Sequence, residues 1–267
     1  MKQFFGKYRG KVTGNKDPSN LGRIQVSVAA IFGQDRQSWA LPCTPYAGKD
    51  IGFFTVPPVD ANVWVEFEGG DPDYPIWSGC FWGENELPQN AKVEDPVNVQ
   101  VFKTEGITIT LSNLEKNKAL TVEVTKPVVE KPLKLIFNAQ GIELNNDNKT
   151  IAKLTAETIE LKNGESSTLT IAGDSIQLKE SAIEIKLTAN SIEMDSNPAT
   201  LKLSTSSGIE IANPPAKALI SSSGVELSST PGNITVAPSG IELNYPIGNI
   251  KLSPVGVNVN NGALEVM

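Results

Sequence analysis

One short phrase recurs through the second half of the chain, and it restricts the fold more than anything else in the sequence. It reads Gly141-Ile142-Glu143-Leu144, Thr158-Ile159-Glu160-Leu161, Ser175-Ile176-Gln177-Leu178, Ser191-Ile192-Glu193-Met194, Gly208-Ile209-Glu210-Ile211, Gly224-Val225-Glu226-Leu227, Gly240-Ile241-Glu242-Leu243 and Gly256-Val257-Asn258-Val259. The step from one first apolar residue to the next is 16 or 17 residues. A fixed period of this kind means that the fold is assembled from one repeated supersecondary unit. Second apolar pairs sit at the half-period (Leu169/Ile171, Ile185/Leu187, Leu201/Leu203, Ile234/Val236, Ile250/Leu252, Leu264/Val266), so the unit is about eight residues. In each unit two apolar side chains flank one polar residue. Because strand side chains alternate faces, this predicts a half-buried strand with the apolar pair inward and Glu, Gln, Lys or Thr outward. Gly, Ser, Asn and Pro punctuate the units (Asn163-Gly164, Asn197-Pro198, Pro214-Pro215, Pro231-Gly232), which supplies turns and stops helices.

Composition divides the 267 residues into two modules. Before residue 96 lie 14 of the 17 aromatic residues, all four Trp, both Cys and all three Arg. The remainder has branched apolar residues in periodic order, as stacked architectures require. Net charge is -7, and the first 95 residues hold nine Lys/Arg against twelve Asp/Glu, the wrong sign for a phosphate-backbone binder. The N-terminus lacks the apolar run of a signal peptide, and no stretch approaches the roughly 20 apolar residues of a membrane-spanning helix. Cys43 and Cys80 are expected as small buried side chains.

Residues 6 to 82 read as five strands: Gly6 to Thr13, Gly22 to Ile31, Ser38 to Cys43, Val63 to Phe67 and Pro75 to Trp82. They are separated by turn signals such as Gly14-Asn15-Lys16-Asp17-Pro18 and Glu68-Gly69-Gly70-Asp71-Pro72-Asp73, with one longer excursion between the third and fourth. Five strands in some eighty residues fit a small closed barrel of the OB type. After it, Ile107/Ile109, Leu120/Val122/Val124 and Leu133/Leu135 already alternate. This predicts an OB barrel over residues 1–88, a collar over 89–140 and a regular rod over 141–267.

Catalytic chemistry has little to work with. The chain has no His, which removes Ser-His-Asp and Cys-His catalysis and imidazole metal sites. Glu66 with Glu68 on one strand face, and Asp71 with Asp73 in a turn, are the only paired-carboxylate candidates, and a solvated face explains them better. Gly48-Lys49 lacks the upstream Gly and the following helix of a phosphate loop. The outward Glu stripe (143, 160, 193, 210, 226, 242) is read as charge that prevents lateral aggregation. Lys153, Lys186, Lys202 and Lys251 are placed to pair with it.

The N-terminal motifs resemble a known family. Gly22-Arg23-Ile24-Gln25-Val26-Ser27-Val28, Ser38-Trp39, Thr44-Pro45-Tyr46-Ala47-Gly48-Lys49, Gly52-Phe53, Pro57, Val65-Glu66-Phe67, Gly70-Asp71-Pro72-Asp73, Pro75-Ile76 and Gly79 occur in the order found in the OB domain of central spike proteins. These are the spikes of contractile phage tails, of type VI secretion valine-glycine-repeat proteins and of related injection systems. Asp60 stands where the family often has Gly, and Tyr74 where it often has Arg.

The resemblance implies an all-β homotrimer, an OB barrel followed by an intertwined triple-stranded β-helix. Its rod core would be Ile142, Leu144, Ile159, Leu161, Ile176, Leu178, Ile209, Ile211, Val225, Leu227, Ile241 and Leu243. It implies a structural, membrane-piercing spike with no enzymatic role and no cofactor or metal. The spike would join a separate hub protein at the OB end to a PAAR-type tip protein seated on Leu264, Val266 and Met267, touching the target-cell membrane transiently and no nucleic acid. The expected location is a virion baseplate or an injection particle assembled in the cytoplasm. Neither the lysozyme insert nor the fused hub of some relatives is expected. The rival readings are a β-solenoid enzyme acting on polysaccharide, a nucleic-acid-binding OB protein and a host-binding tail fibre.

Overall fold

The computed structural model describes residues 2–33, 36–114, 118–147 and 149–266. The chain is all-β apart from single helical turns, and it divides into two units, Met1–Lys92 and Val93–Met267. No helix among the described residues is long and apolar enough to cross a membrane.

In the first unit, β1 (Tyr8–Gly14), β2 (Ile24–Ser27), β3 (Gln37–Pro42), β6 (Asn62–Phe67) and β7 (Pro75–Cys80) close a barrel in the order β1-β2-β3-β7-β6. A two-stranded hairpin, β4 (Ala47–Gly48) with β5 (Ile51–Gly52), fills the excursion between the third and fourth barrel strands. All barrel pairs are antiparallel except β3 with β7. Alternation decides which side chains go inside. In β6, Val63, Val65 and Phe67 are buried while Asn62, Trp64 and Glu66 face outward. They join Val12, Ile24, Val26, Val28, Ala40 and Trp77 in a single core. Fully burying a branched aliphatic side chain contributes about 1.5–3 kcal/mol.

Two features depart from the expected strands. The run from Gly22 to Ile31 is extended only over Ile24–Ser27, and Ala29–Phe32 form one helical turn (α1), closed by Phe32 N–H donating to the Val28 carbonyl at 2.8 Å. The turn lets Phe32 meet Phe67 edge-on at 5.7 Å, a contact that a continued strand would not make. The fourth strand ends at Phe67, so Glu68 lies in the following 3₁₀ turn and shares no strand face with Glu66. Asp60, at the position where the resemblance suggests Gly, has φ +70. The turn needs left-handed backbone, which Asp tolerates better than most residues. Tyr74, at the expected Arg position, is exposed.

The turn between β1 and β2 is tied by one carboxylate. Asp17 accepts from the backbone N–H of Ser19, Leu21 and Arg23 and from Arg23 Nη2 at 2.7 Å, with its side chain 5 % exposed. The Arg23 guanidinium, helped by those backbone donors, holds the Asp17 carboxyl well below the usual carboxylate range. Arg23 also lies over the Trp39 ring.

The second unit is a single sheet running from β8 (Val99–Lys103) to β27 (Leu264–Val266), in which each strand pairs antiparallel with the next. Most strands are six residues long with two-residue turns, which is the eight-residue unit of the sequence. Turn chemistry repeats as well. The last residue of several strands turns its own side-chain oxygen back onto the turn's N–H groups: Asn138 for Gln140 and Gly141, Thr155 for Glu157 and Thr158, Thr188 for Asn190 and Ser191, Ser204 for Ser206 and Ser207. Such local capping fixes each reversal without tertiary help. Near the C-terminus Asn260 and Asn261 make a 3₁₀ turn with positive φ, and Asn249 receives the Asn261 N–H.

Candidate functional site

The long sheet has one apolar face, and register makes it continuous. Ile142 stands opposite Phe137 and Leu154, Leu154 opposite Ile159, Ile159 opposite Ile171, and Ile171 opposite Ile176. Farther along, Ile209, Ile220, Val225, Val236, Ile241, Leu252, Val257 and Val266 follow one another in the same row. A second row runs beside it through Leu144, Ala152, Leu161, Leu169 and Leu178, then through Ile211, Ala218, Leu227, Ile234, Leu243, Ile250, Val259 and Leu264. Cross-strand apolar neighbours of this kind are the unit of sheet stabilisation. All twelve residues expected to form the rod core therefore fall in two unbroken lines.

Those lines are uncovered in the single chain. Leu144 is 54 % exposed, Ile211 56 % and Leu227 48 %. Among the described residues, Ile136 is the only buried apolar side chain of the second unit. Monomeric soluble proteins rarely leave an apolar patch of more than a few hundred Å² open.

The opposite face carries charge in its central row. Glu193 pairs with Lys202 at 2.6 Å, Lys202 stands next to Glu210, Lys217 reaches Glu210 at 2.8 Å, and Glu242 pairs with Lys251 at 2.6 Å. Lys153 stands between Glu143 and Glu160 in register, and Lys186 between Gln177 and Glu193. Hydrogen bonds from Lys202 and Lys251 hold the Glu193 and Glu242 carboxyls below their ordinary values, and Glu193 raises Lys202. The sign follows from linkage. A depressed carboxyl adds stability above its unfolded pKa and loses it as pH falls through the folded value, and a raised Lys loses its share only at strongly alkaline pH. Thermal melts followed by circular dichroism should be flat from about pH 5 to pH 10 and fall from pH 5 towards pH 3. These pairs are exposed, so the effect is a few degrees, and Glu193→Gln with Glu242→Gln should remove part of it.

Several strand openings demand Gly for a backbone reason. A Cβ on Gly141 would sit 1.9 Å from the Leu154 carbonyl oxygen, on Gly208 2.0 Å from that of Ile220, on Gly224 2.0 Å from that of Val236, and on Gly240 1.9 Å from that of Leu252. The absence of a side chain lets each strand start in close contact with its neighbour's main chain.

The other sequence candidates have structural roles. Glu66 is held by Lys7 and by Ser78, which together lower its pKa. Asp71 caps the Asp73 N–H, and Asp73 pairs with Arg36. Lys49 lies in the turn of the β4–β5 hairpin. Cys43 and Cys80 are exposed free thiols rather than buried side chains, because Cys43 lies just past the end of β3 and Cys80 is the last residue of β7; partial burial still pushes the Cys80 thiol up. At the far end, Leu264 is exposed and pairs with Val259, Val266 pairs with Val257, and Met267 lies outside the described residues. The Asp17 knot and the β4–β5 hairpin were not anticipated; the string Asp17-Pro18-Ser19-Asn20, an acceptor followed by turn residues, is the signal for the first.

Comparison with known proteins places the barrel but not the sheet. Residues 8–82 match the family model described as the type VI secretion system/phage-baseplate injector OB domain. No curated protein matches the chain at a significant level. The match spans the same residues that close the five-stranded barrel, and residues 8–82 are therefore an OB barrel similar to the injector domain of type VI secretion systems and phage baseplates.

Proposed function

We propose that the chain is the central spike of a contractile tail or tail-like injection machine, built as a homotrimer. The observation that carries this reading is the pair of apolar rows lying open along the whole sheet behind an injector OB domain. One chain cannot cover them, since its own opposite face is charged. Three copies wound about a common axis would each turn the rows inward and leave the Glu–Lys ladder in water. The barrels then sit on a separate hub protein at the baseplate of a virion or injection particle. The last strand, with Leu264, Val266 and Met267, seats a small PAAR-type tip protein. The role is mechanical, the piercing of a target-cell membrane by a narrow, stiff rod. No catalytic step is assigned to it, since the chain has no His and Glu66 and Asp73 are committed to Lys7 and Arg36.

Native mass spectrometry or light scattering at micromolar concentration tests the assembly. The expected mass is three times that of the 28.6 kDa chain, and it should persist in mild detergent. A stable monomer would end this reading.

A further inference from the structure

The barrel unit carries a protruding apolar surface and a receding one that do not satisfy each other. The β4–β5 hairpin stands as an arm, closed by Phe53 N–H on the Tyr46 carbonyl at 2.8 Å and Thr44 Oγ1 on the Phe53 carbonyl at 2.9 Å. Tyr46, Ile51, Phe53 and Phe54 on this arm are all more than half exposed, Phe54 to 78 %. Next to the groove under the arm, and sharing Val56 and Trp77 with it, is a cleft of about 650 Å³ walled also by Pro58, Val59, Phe81 and Trp82, with Trp82 still 66 % exposed. Trp77 in its wall is buried, and its Nε1–H meets no acceptor among the described residues. Aromatic side chains grouped in this way mark the energetic centre of protein interfaces.

We propose that in the assembled spike each barrel's arm packs into the cleft of the next copy's barrel. This rests on the three-copy reading of the long sheet. Charge favours a second copy as the occupant. Among the described residues Lys49 at the arm's apex has no ion pair, and the cleft includes Asp60 and Glu86, which have none there either. Asp50, the neighbour of Lys49, lines instead the groove between the arm and its own barrel. Proximity favours it as well. Only six residues separate Lys92, the end of the barrel unit, from Val99, the first residue of the sheet, so copies joined through their sheets hold their barrels at millimolar effective concentration. An arm-to-cleft contact is heterologous, and such contacts close into a ring only when the rotation allows it; a three-fold axis does.

Full-length protein tests this directly. In a Cys43→Ser, Cys80→Ser chain, Ile51→Cys and Val59→Cys are combined, the trimer is isolated, and mild oxidation is followed by a non-reducing gel. The ring predicts that most chains run as covalent trimers, with either single variant remaining monomeric on the gel. Hydroxyl-radical labelling of the unaltered protein gives an independent reading. Phe54 and Trp82 should be protected several-fold relative to the unfolded chain, whereas their exposure in a lone barrel allows less than about two-fold. A trimer by mass whose chains stay monomeric on the gel, with both rings labelled at the unfolded rate, would overturn the contact and leave the spike reading intact. A monomer by mass would remove both.

Discussion

Leu227→Asn is expected to abolish the three-chain assembly, while Glu226→Gln beside it leaves assembly intact. Size-exclusion chromatography with light scattering makes the comparison. Removing a buried Leu side chain costs about 2–5 kcal/mol, and an amide left without partners about 1–3 more. In the proposed three-copy assembly the same change occurs three times at one level, roughly 10–25 kcal/mol in all, which equals or exceeds the whole stability of an ordinary domain. The alternative gives a much smaller number. If the sheet stood alone with Leu227 at its present 48 % exposure, the same change would cost no more than about 1–2 kcal/mol. A Leu227→Asn chain that still assembled would show that the apolar rows face something other than one another.

The second large effect comes from the backbone. Gly240→Ala places a methyl carbon 1.9 Å from the Leu252 carbonyl oxygen, at φ +139, where side chains are rarely tolerated. The obstacle is main chain in the next strand, so no side-chain rotation relieves it. Either the Gly240–Tyr245 and Gly248–Ser253 strands part or the register shifts, and a loss of at least about 4 kcal/mol per chain is expected. Gly173→Ala is the matched control, because nothing lies within 4 Å of its added carbon. Thermal melts of the two variants should differ by more than 10 °C. Similar melts would mean that the strand opening is looser than its contacts indicate.

Much of this architecture could be read from the chain because local pattern and global fold agree. The eight-residue unit survives as six-residue strands with two-residue turns, and Ile142, Ile159, Ile176, Ile209 and Ile241 share one row as alternation requires. Lys202 and Lys251 found the Glu residues that register places opposite them. What went unread was decided by contacts remote in sequence. Ala29–Phe32 carries a strand-like apolar pattern, but Phe67, more than thirty residues away, draws Phe32 into a helical turn. Glu68 looked like a strand neighbour of Glu66 until Gly69 took a left-handed conformation. The β4–β5 hairpin has strands of two residues, too short for any period to appear. Nor does the sequence distinguish a row hidden within one chain from a row awaiting other chains, since both ask for the same residues.

The strictly sequential pairing of the long sheet has one more consequence. Because each strand pairs in register with its neighbours along the chain, the repeat works as a ruler whose length changes strand by strand. Adding or deleting one 16-residue phrase, such as residues 224 to 239, changes the reach by two strand spacings, about 9.5 Å, and leaves both ends as they were. A single residue added in a turn is absorbed there, as the 17-residue steps from Ile142 to Ile159 and Ile176 show, whereas one added inside a strand turns the side chains that follow it in that strand to the other face. The sheet can therefore be lengthened or shortened by whole phrases, while the alternation inside each six-residue strand must be kept.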